Sequence, residues 1–265
     1  MLILKFFVFL QEINNHVFIY YSMQRKLTFY LVIIFLFILS ACNNITPEKS
    51  ENTLSEHHQI IGVSVWDKIS TRSEPIRNSS TTTLLSLGES FYYLDTFAID
   101  SSYKNTKFLK ARLSDSTIVW VYDFASVLNA IPAVLTHEAP LYLRPDLLTI
   151  TEKSIKVMEI VAVTEEWDNW IKVENEKKEK KGWINKEYIS NNTIDLAFAL
   201  LAKRKLDEQN PEQKIKNLED LLENNPYPNS IFIAELRKSL EMEKEILRDS
   251  HNSRDREDQD RRRGN

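Results

Sequence analysis

The chain of 265 residues holds few side chains that could perform covalent or metal chemistry. It has one cysteine, Cys42, and five histidines. One cysteine excludes a disulfide framework and every multi-cysteine zinc or iron–sulfur site. An adjacent pair of histidines could hold a stray metal ion weakly, but no third ligand is near it in the sequence, so chance is the better explanation. The histidines are His16, His57, His58, His137 and His251.

Other reaction types are also poorly represented. The four glycines lie too far apart for a glycine-rich phosphate cradle, and no GxSxG nucleophile elbow is present, although composition alone does not exclude a Ser–His–Asp triad. The formal net charge of −4 gives no basic footprint for nucleic acid. We therefore expect no enzyme activity, no cofactor, no metal and no nucleic-acid partner.

The surroundings of Cys42 indicate export. Arg25 and Lys26 precede an uncharged, mostly apolar run of 13 residues, 27–39, and two small residues follow it. A helix of that length spans about 20 Å, which is too short for a hydrocarbon core of about 30 Å. The pattern predicts a signal peptide over residues 1–41 rather than a membrane span. Met23 directly precedes the pattern, and we expect translation to start there.

The segment Leu39-Ser40-Ala41-Cys42 resembles the lipobox of bacterial membrane lipoproteins. The resemblance implies a diacylglyceryl group on the thiol and cleavage just before the cysteine. It predicts a lipoprotein anchored in the bacterial cell envelope, with the outer membrane favoured by Asn43 and the membrane face left open. Residues 42–59 read as a lipidated flexible tether with a root-mean-square reach of about 20–25 Å. The alternative is an ordinary buried cysteine in a retained anchor.

Residues 60–190 change to short apolar runs broken every 8–12 residues, which predicts β structure. The pattern occurs as two repeats, over residues 60–130 and 131–190. The segment 107–111 parallels 169–173, and 119–121 parallels 182–184. At the start of each copy, Ile69-Ser-Thr-Arg72 parallels Leu141-Tyr-Leu-Arg144, which is an offset of 72 residues. A unit of this size fits a small, closed or partly closed barrel.

The second copy resembles bacterial SH3-like (SH3b) domains, through Leu141-Tyr-Leu-Arg-Pro145, 166–173 and Gly182-Trp-Ile-Asn-Lys-Glu-Tyr-Ile189. The first copy departs from the pattern at several positions. The resemblance implies two tandem barrels and a shallow groove for an extended peptide, either a cell-wall peptide or a protein segment. The implied contact residues are aromatic; an alternative role for Trp170 and for Trp183 is in the barrel core. The candidate ligand-binding residues are Tyr142, Trp167, Trp170 and Tyr188.

After residue 190 the apolar period becomes helical. We expect about three helices over residues 191–248: one capped by Asn192 or Thr193, one starting at Asn210-Pro211, and a third capped near Ser230. The polar residues 249–265 predict a disordered tail. The fold class is therefore mainly β, with two SH3-like barrels and a C-terminal helical segment.

Together these patterns predict a lipid-anchored envelope protein that binds a peptide or cell-wall ligand without catalysis. A structural lipoprotein that docks a protein partner through helices within residues 194–247 is the first alternative. An envelope enzyme with an unrecognised site is the second. The ligand, the oligomeric state and whether both copies are functional stay open.

Overall fold

The computed structural model describes residues 59–263, so the predicted signal peptide, Cys42 and almost all of the tether lie outside the described residues. The described chain forms two seven-stranded antiparallel sheets, each an SH3-like barrel, and three helices that follow them. The predicted fold class is confirmed.

The first sheet, barrel 1, contains the longest strand within residues 59–263, which extends beyond its counterpart in the second sheet. Its strands are β1 Ile61–Ser64, β2 Ile69–Arg72, β3 Thr81–Leu85, β4 Ser90–Asp100, β5 Thr106–Arg112, β6 Ile118–Tyr122 and β7 Ser126–Leu128.

The second sheet, barrel 2, repeats this arrangement. Its strands are β8 Ile131–Leu135, β9 Ala139–Tyr142, β10 Ile150–Ile155, β11 Ile160–Trp167, β12 Trp170–Asn175, β13 Lys181–Asn185 and β14 Ile189–Ser190. Neighbouring strands follow the order β3-β2-β6-β5-β4-β1-β7 in barrel 1 and β10-β9-β13-β12-β11-β8-β14 in barrel 2. Adding seven to each number of the first order gives the second, so one topology occurs twice.

Cross-strand pairing corrects the sequence alignment at the start of each copy. Arg72 pairs with Trp120 in barrel 1, and Tyr142 pairs with Trp183 in barrel 2. Arg72 therefore occupies the position of Tyr142, with an offset of 142 − 72 = 70, and the predicted match of Arg72 with Arg144 was wrong by two residues. Arg144 of the second copy lies in the loop after β9, where cross-strand hydrogen bonds do not fix its register. The alignment was wrong because it matched two arginines that occupy different positions.

Period-two alternation builds both barrel cores. In β12, Ile171 and Val173 are buried while Trp170 and Lys172 lie on the opposite face and are partly exposed. The buried core of barrel 2 consists of Ala133, Leu135, Ala139, Leu141, Ile155, Val161, Val163, Ile171, Val173 and Ile184. That of barrel 1 consists of Leu85, Phe91, Leu109, Ala111, Leu113, Val119 and Val121.

One turn recurs in both barrels with the same hydrogen bonds. In residues 86–89 the Glu89 carboxylate accepts from the Ser86 N–H at 2.9 Å, and in residues 156–159 the Glu159 carboxylate accepts from the Lys156 N–H at 3.1 Å. The third residue of each turn is left-handed: Gly88 has φ 79° and Met158 has φ 65°. Glycine adopts this conformation without a steric penalty, whereas methionine is strained in it.

The three helices are α1 Thr193–Leu206, α2 Pro211–Glu223 and α3 Ile233–Arg263. Asn192 caps α1 by accepting from the Ile194 N–H at 2.8 Å, and Asn210 caps α2 ahead of its first-turn proline. The third helix begins three residues beyond Ser230 and continues through residues 249–263, where the sequence predicts a disordered tail. That segment is polar but free of glycine and proline, so its backbone can continue a helix. Within residues 59–263, no helix has both the length and the apolar character to cross a membrane.

The helices pack on both barrels. Their buried core includes Leu87 from the repeated turn of barrel 1 and Ile160 beside the same turn of barrel 2, with Phe198, Leu218 and Leu236 from the helices. The interface explains why the two turns share a geometry, because each presents an apolar side chain to the helical layer.

Two ionic contacts fasten α1 to the barrels. Arg204 donates two hydrogen bonds to the Asp67 carboxylate of barrel 1, at 2.7 and 2.9 Å. Its neighbour Lys203 pairs with Glu176 of barrel 2 at 3.2 Å. Burial alone would raise the pKa of Asp67, but hydrogen bonds from Arg204 and the Leu87 N–H, with the nearby positive charges, hold that pKa below its ordinary value.

A buried carboxylate, Asp195, organises the start of the helical layer. It accepts hydrogen bonds from the Ser190 and Ser230 hydroxyls at 2.8 and 3.1 Å and from the Ile231 N–H at 3.1 Å. It thus joins the end of barrel 2, the first helix and the segment that leads into α3.

Candidate binding site

Three of the four predicted aromatic residues come together at one end of barrel 2. Tyr142 ends β9 and Trp170 begins β12, and their rings meet edge to face with centroids 4.9 Å apart. Trp167 lies directly opposite Trp170 across the β11–β12 hairpin. The side chain of Trp167 is 68% exposed, whereas Tyr142 and Trp170 are partly buried. These three residues are called the aromatic site below.

The hairpin that carries Trp167 is tied down at its tip. Asp168 has φ 52°, a left-handed conformation that aspartate tolerates better than most residues. The next residue, Asn169, accepts a hydrogen bond from the Lys186 N–H at 2.8 Å, and the Lys186 ammonium pairs with Glu166. The aromatic site is therefore positioned by backbone contacts between two hairpins.

A polar group completes the site. Asn185 lies opposite Trp170 on β13. Its side-chain carbonyl accepts from the Glu187 N–H at 3.1 Å, which leaves its NH₂ available as a hydrogen-bond donor. The sequence prediction missed Asn185, although the strand pattern 182–185 could have identified it as the cross-strand neighbour of Trp170.

The fourth predicted residue, Tyr188, lies elsewhere. It packs against the barrel 2 core, and its ring centroid is 6.3 Å from that of His137. Within the described part of the chain, no ring contact joins it to the other three aromatic residues. Trp183, the alternative core residue, is also partly exposed and has the Lys172 ammonium 5.7 Å above its ring.

Barrel 1 fills the corresponding place with its own side chains. Phe108 stands at the position of Trp170 and is fully buried. Tyr122, at the position of Asn185, lies with its ring 4.6 Å from that of Phe108, and Phe124 and Trp66 extend the cluster. The position of Trp167 is taken by Ala98, which pairs with Phe108. At the position of Trp170 the ring is therefore buried in barrel 1 and reaches the surface in barrel 2, while the exposed ring of the barrel 1 cluster is that of Phe124, which is 48% exposed.

A cavity of about 490 Å³ lies where barrel 2, Leu87 of barrel 1 and α1 meet. Its floor is apolar and its rim is charged. Several of its charged residues are paired: Lys203 binds Glu176 and Asp207, and Lys180 binds Glu159 at 3.3 Å. Of these pairs, Lys203–Glu176 joins α1 to barrel 2, and the other two lie at the end of α1 or within barrel 2.

No protein-family model matches the chain, and a comparison with curated protein sequences finds no match. Among solved structures, the chain is similar to NlpC2 and NlpC1 from Trichomonas vaginalis. Sequence identity is 15% and 14%, and the TM-scores are 0.22 and 0.23. Each match covers 63% of this chain and 56% or 53% of the other, so the chain spans just over half the length of those structures.

For metals, residues 59–263 contain no group of three or more His, Cys, Asp or Glu side chains arranged to hold an ion.

Proposed function

We propose that the protein is a lipid-anchored component of the bacterial cell envelope whose second barrel binds an extended peptide without catalysis. The observation that carries the proposal is the aromatic site: a Tyr142–Trp170 edge-to-face pair with the exposed Trp167 beside it. The weight lies on the three neighbouring rings rather than on Trp167 alone, because clustered aromatic side chains at a surface are typical of interaction sites.

The chemistry of the site supports a peptide rather than a small charged molecule. Flat aromatic rings bind the side chains and the peptide planes of an extended chain, and the NH₂ of Asn185 can donate to one of its carbonyl groups. The two ion pairs beside the site, Lys172–Glu165 at 2.6 Å and Lys186–Glu166, are internally neutral. They offer no net charge to select an ionic ligand.

Retention on purified cell-wall sacculi tests this function. The fragment that begins at Glu51 keeps every described residue and should be retained. Replacement of the exposed hot-spot residue, Trp167→Ala, should reduce retention at least about tenfold. Phe97→Ala, which removes an exposed aromatic residue from barrel 1, is the matched control and should leave retention unchanged. Equal retention of all three proteins would contradict binding at the aromatic site.

The anchor is tested separately. In bacterial cells fed a labelled lipid precursor, the wild-type chain should incorporate the label and Cys42→Ser should not. Equal labelling of the two proteins would refute lipidation at this cysteine.

A second candidate function is assembly through the helical layer. Ile231, Met242 and Ile246 are large apolar side chains that stay exposed there, which favours a docking surface on this layer. If sacculi retain nothing, and cross-linking in cells captures a protein through residues 194–247, this candidate replaces peptide binding as the leading function.

A further inference from the structure

Residues 143–150, which are the loop between β9 and β10 together with the first residue of β10, expose four large aliphatic side chains. These side chains, Leu143, Leu147, Leu148 and Ile150, are 74%, 69%, 93% and 59% exposed. Single exposed leucines are ordinary, but four large aliphatic side chains exposed within eight residues are a local concentration of apolar surface. This segment is called the leucine loop below.

The exposure is built into the shape of the loop. The Thr149 hydroxyl is buried beneath it, donates towards the carbonyls of Arg144 and Asp146, and accepts from the Arg144 N–H at 3.1 Å. The Asp146 carboxylate accepts from the Leu148 N–H at 2.9 Å and so starts the short 3-10 turn 147–149. Polar contacts thus hold the loop from inside, and its leucines point outward.

The equivalent loop of barrel 1 takes a different composition. Residues 73–80 read Ser-Glu-Pro-Ile-Arg-Asn-Ser-Ser, and Ile76 is the one large apolar side chain among them. The Ser73 N–H bonds to the Ser80 carbonyl at 3.0 Å, as the Leu143 N–H bonds to the Thr149 carbonyl at 3.0 Å. The hairpin does not require leucines, so their presence in barrel 2 needs another reason.

We propose that the leucine loop inserts into the surface of a lipid bilayer and orients the protein against the membrane. This inference rests on the proposed lipid anchor. Leu148 is almost fully exposed, so the tip is convex; a convex aliphatic tip enters a fluid acyl boundary more readily than it receives a peptide side chain.

Charge and chain length agree with a lipid surface. Arg144 and Asp146 cancel each other within the loop, so insertion needs no particular headgroup charge. Cys42 lies 59 − 42 = 17 residues before the first described residue, and the tether predicted from the sequence would have a reach of about 20–25 Å. The proposed anchor would therefore keep the barrels at a high effective concentration near the same bilayer.

Coupling through the single cysteine gives a direct test. A chain that begins at Cys42 is attached by its thiol to a maleimide lipid in phosphatidylcholine vesicles, and amide hydrogen exchange is compared with that of the same chain capped by a small maleimide in solution. Exchange in residues 143–150 should slow by about tenfold on vesicles, while residues 73–80 serve as the internal control and should not change. The double variant L147S/L148S should lose the slowing.

Three results would overturn the inference. They are unchanged exchange in the leucine loop on vesicles, equal slowing in the double variant, and slowing in solution that grows with protein concentration, which would identify a second copy of the chain as the partner. Chemical coupling replaces the natural anchor, so these results do not depend on whether Cys42 is lipidated in cells. They also do not depend on whether cell-wall sacculi retain the protein through its aromatic site.

Discussion

The two barrels share one topology but use their equivalent positions differently. In barrel 1, Phe108 is sealed beneath its own aromatic neighbours, and Arg72 donates to the Tyr122 hydroxyl at 3.0 Å. In barrel 2, the same positions hold Trp170, Tyr142 and Asn185, and the rings reach the surface. The difference indicates that barrel 1 uses these positions to pack its interior, and it underlies the proposal that barrel 2 carries the peptide-binding site.

The loops follow the same division. The loop after β2 is polar and the loop after β9 is aliphatic, although the same backbone hydrogen bond closes each. A duplicated fold can specialise in this way because the ladder hydrogen bonds specify the barrel, while outward-facing positions are free to vary.

Removal of the buried ring of Phe108 should have the largest effect on stability. Phe108→Ala leaves a cavity in a fully buried cluster and should lower the free energy of unfolding by about 3–5 kcal/mol. The equivalent Trp170→Ala removes a partly exposed ring and should cost less than about 2 kcal/mol. Urea denaturation of both variants measures the difference. Equal losses would mean that barrel 2 is as closed as barrel 1.

The two ionic contacts of α1 give the next comparison. Arg204→Ala leaves the half-buried Asp67 without its bidentate partner and should cost about 1–3 kcal/mol. Lys203→Ala removes the partly exposed pair with Glu176 of barrel 2 and the pair with Asp207 at the end of α1, and should cost less than about 1 kcal/mol. If Lys203→Ala lowers the free energy of unfolding more than Arg204→Ala in the same denaturation assay, the Arg204–Asp67 contact is not the stronger of the two.

The pH dependence of stability should also reveal the contribution of the Arg204–Asp67 contact. The folded-state pKa of Asp67 lies below its unfolded value, so its contribution is complete above about pH 4 and disappears as the pH falls through the folded pKa. The difference in stability between wild type and Asp67→Asn should therefore shrink on acidification below that pH. A difference that stays constant down to acid unfolding would exclude this role for the carboxylate.

The repeated turn offers a smaller effect. Gly88→Ala places a Cβ about 2.9 Å from Ile160 Cγ2 in a left-handed residue, and should cost about 1–2 kcal/mol. Met158→Ala keeps the backbone strain of the second turn and removes only side-chain packing, so it serves as the comparison. Thermal unfolding measures both. A neutral Gly88→Ala would show that the left-handed turn costs little in either barrel.

The smallest effect on stability is expected for a contact that both barrels share, a lysine over a tryptophan ring. Lys110 lies 5.9 Å over Trp120, and Lys172 lies 5.7 Å over Trp183. Replacing either lysine by methionine should change stability by less than about 1 kcal/mol. The Lys172 variant should respond more to added salt, since Lys172 also pairs with Glu165. Equal salt responses in denaturation would argue against that ion pair.

Local sequence signals predicted the elements well. Short apolar runs predicted β structure over residues 60–190, and side-chain caps at Asn192 and Asn210 marked helix starts to within one residue. These signals act within a few residues, so they need no knowledge of the rest of the chain.

The aromatic site was predicted in part. Trp167 and Trp170 are neighbours across a two-residue turn, so sequence proximity brought them together. Tyr142 lies beside them only because β9 pairs with β13 and β13 pairs with β12. Tyr188 lies near His137 instead, in the segment that closes the barrel. Pairings between distant strands decide such outcomes.

By itself, the sequence determined the β-rich middle, its duplication and the helical end, because hydrophobic period and capping are local properties. Only the tertiary structure decided that Arg72 stands where Tyr142 does, that Phe108 is sealed while Trp170 is open, and that the leucines of residues 143–150 face water. Burial depends on residues that approach from far along the chain, and a pattern of residue types does not contain that information.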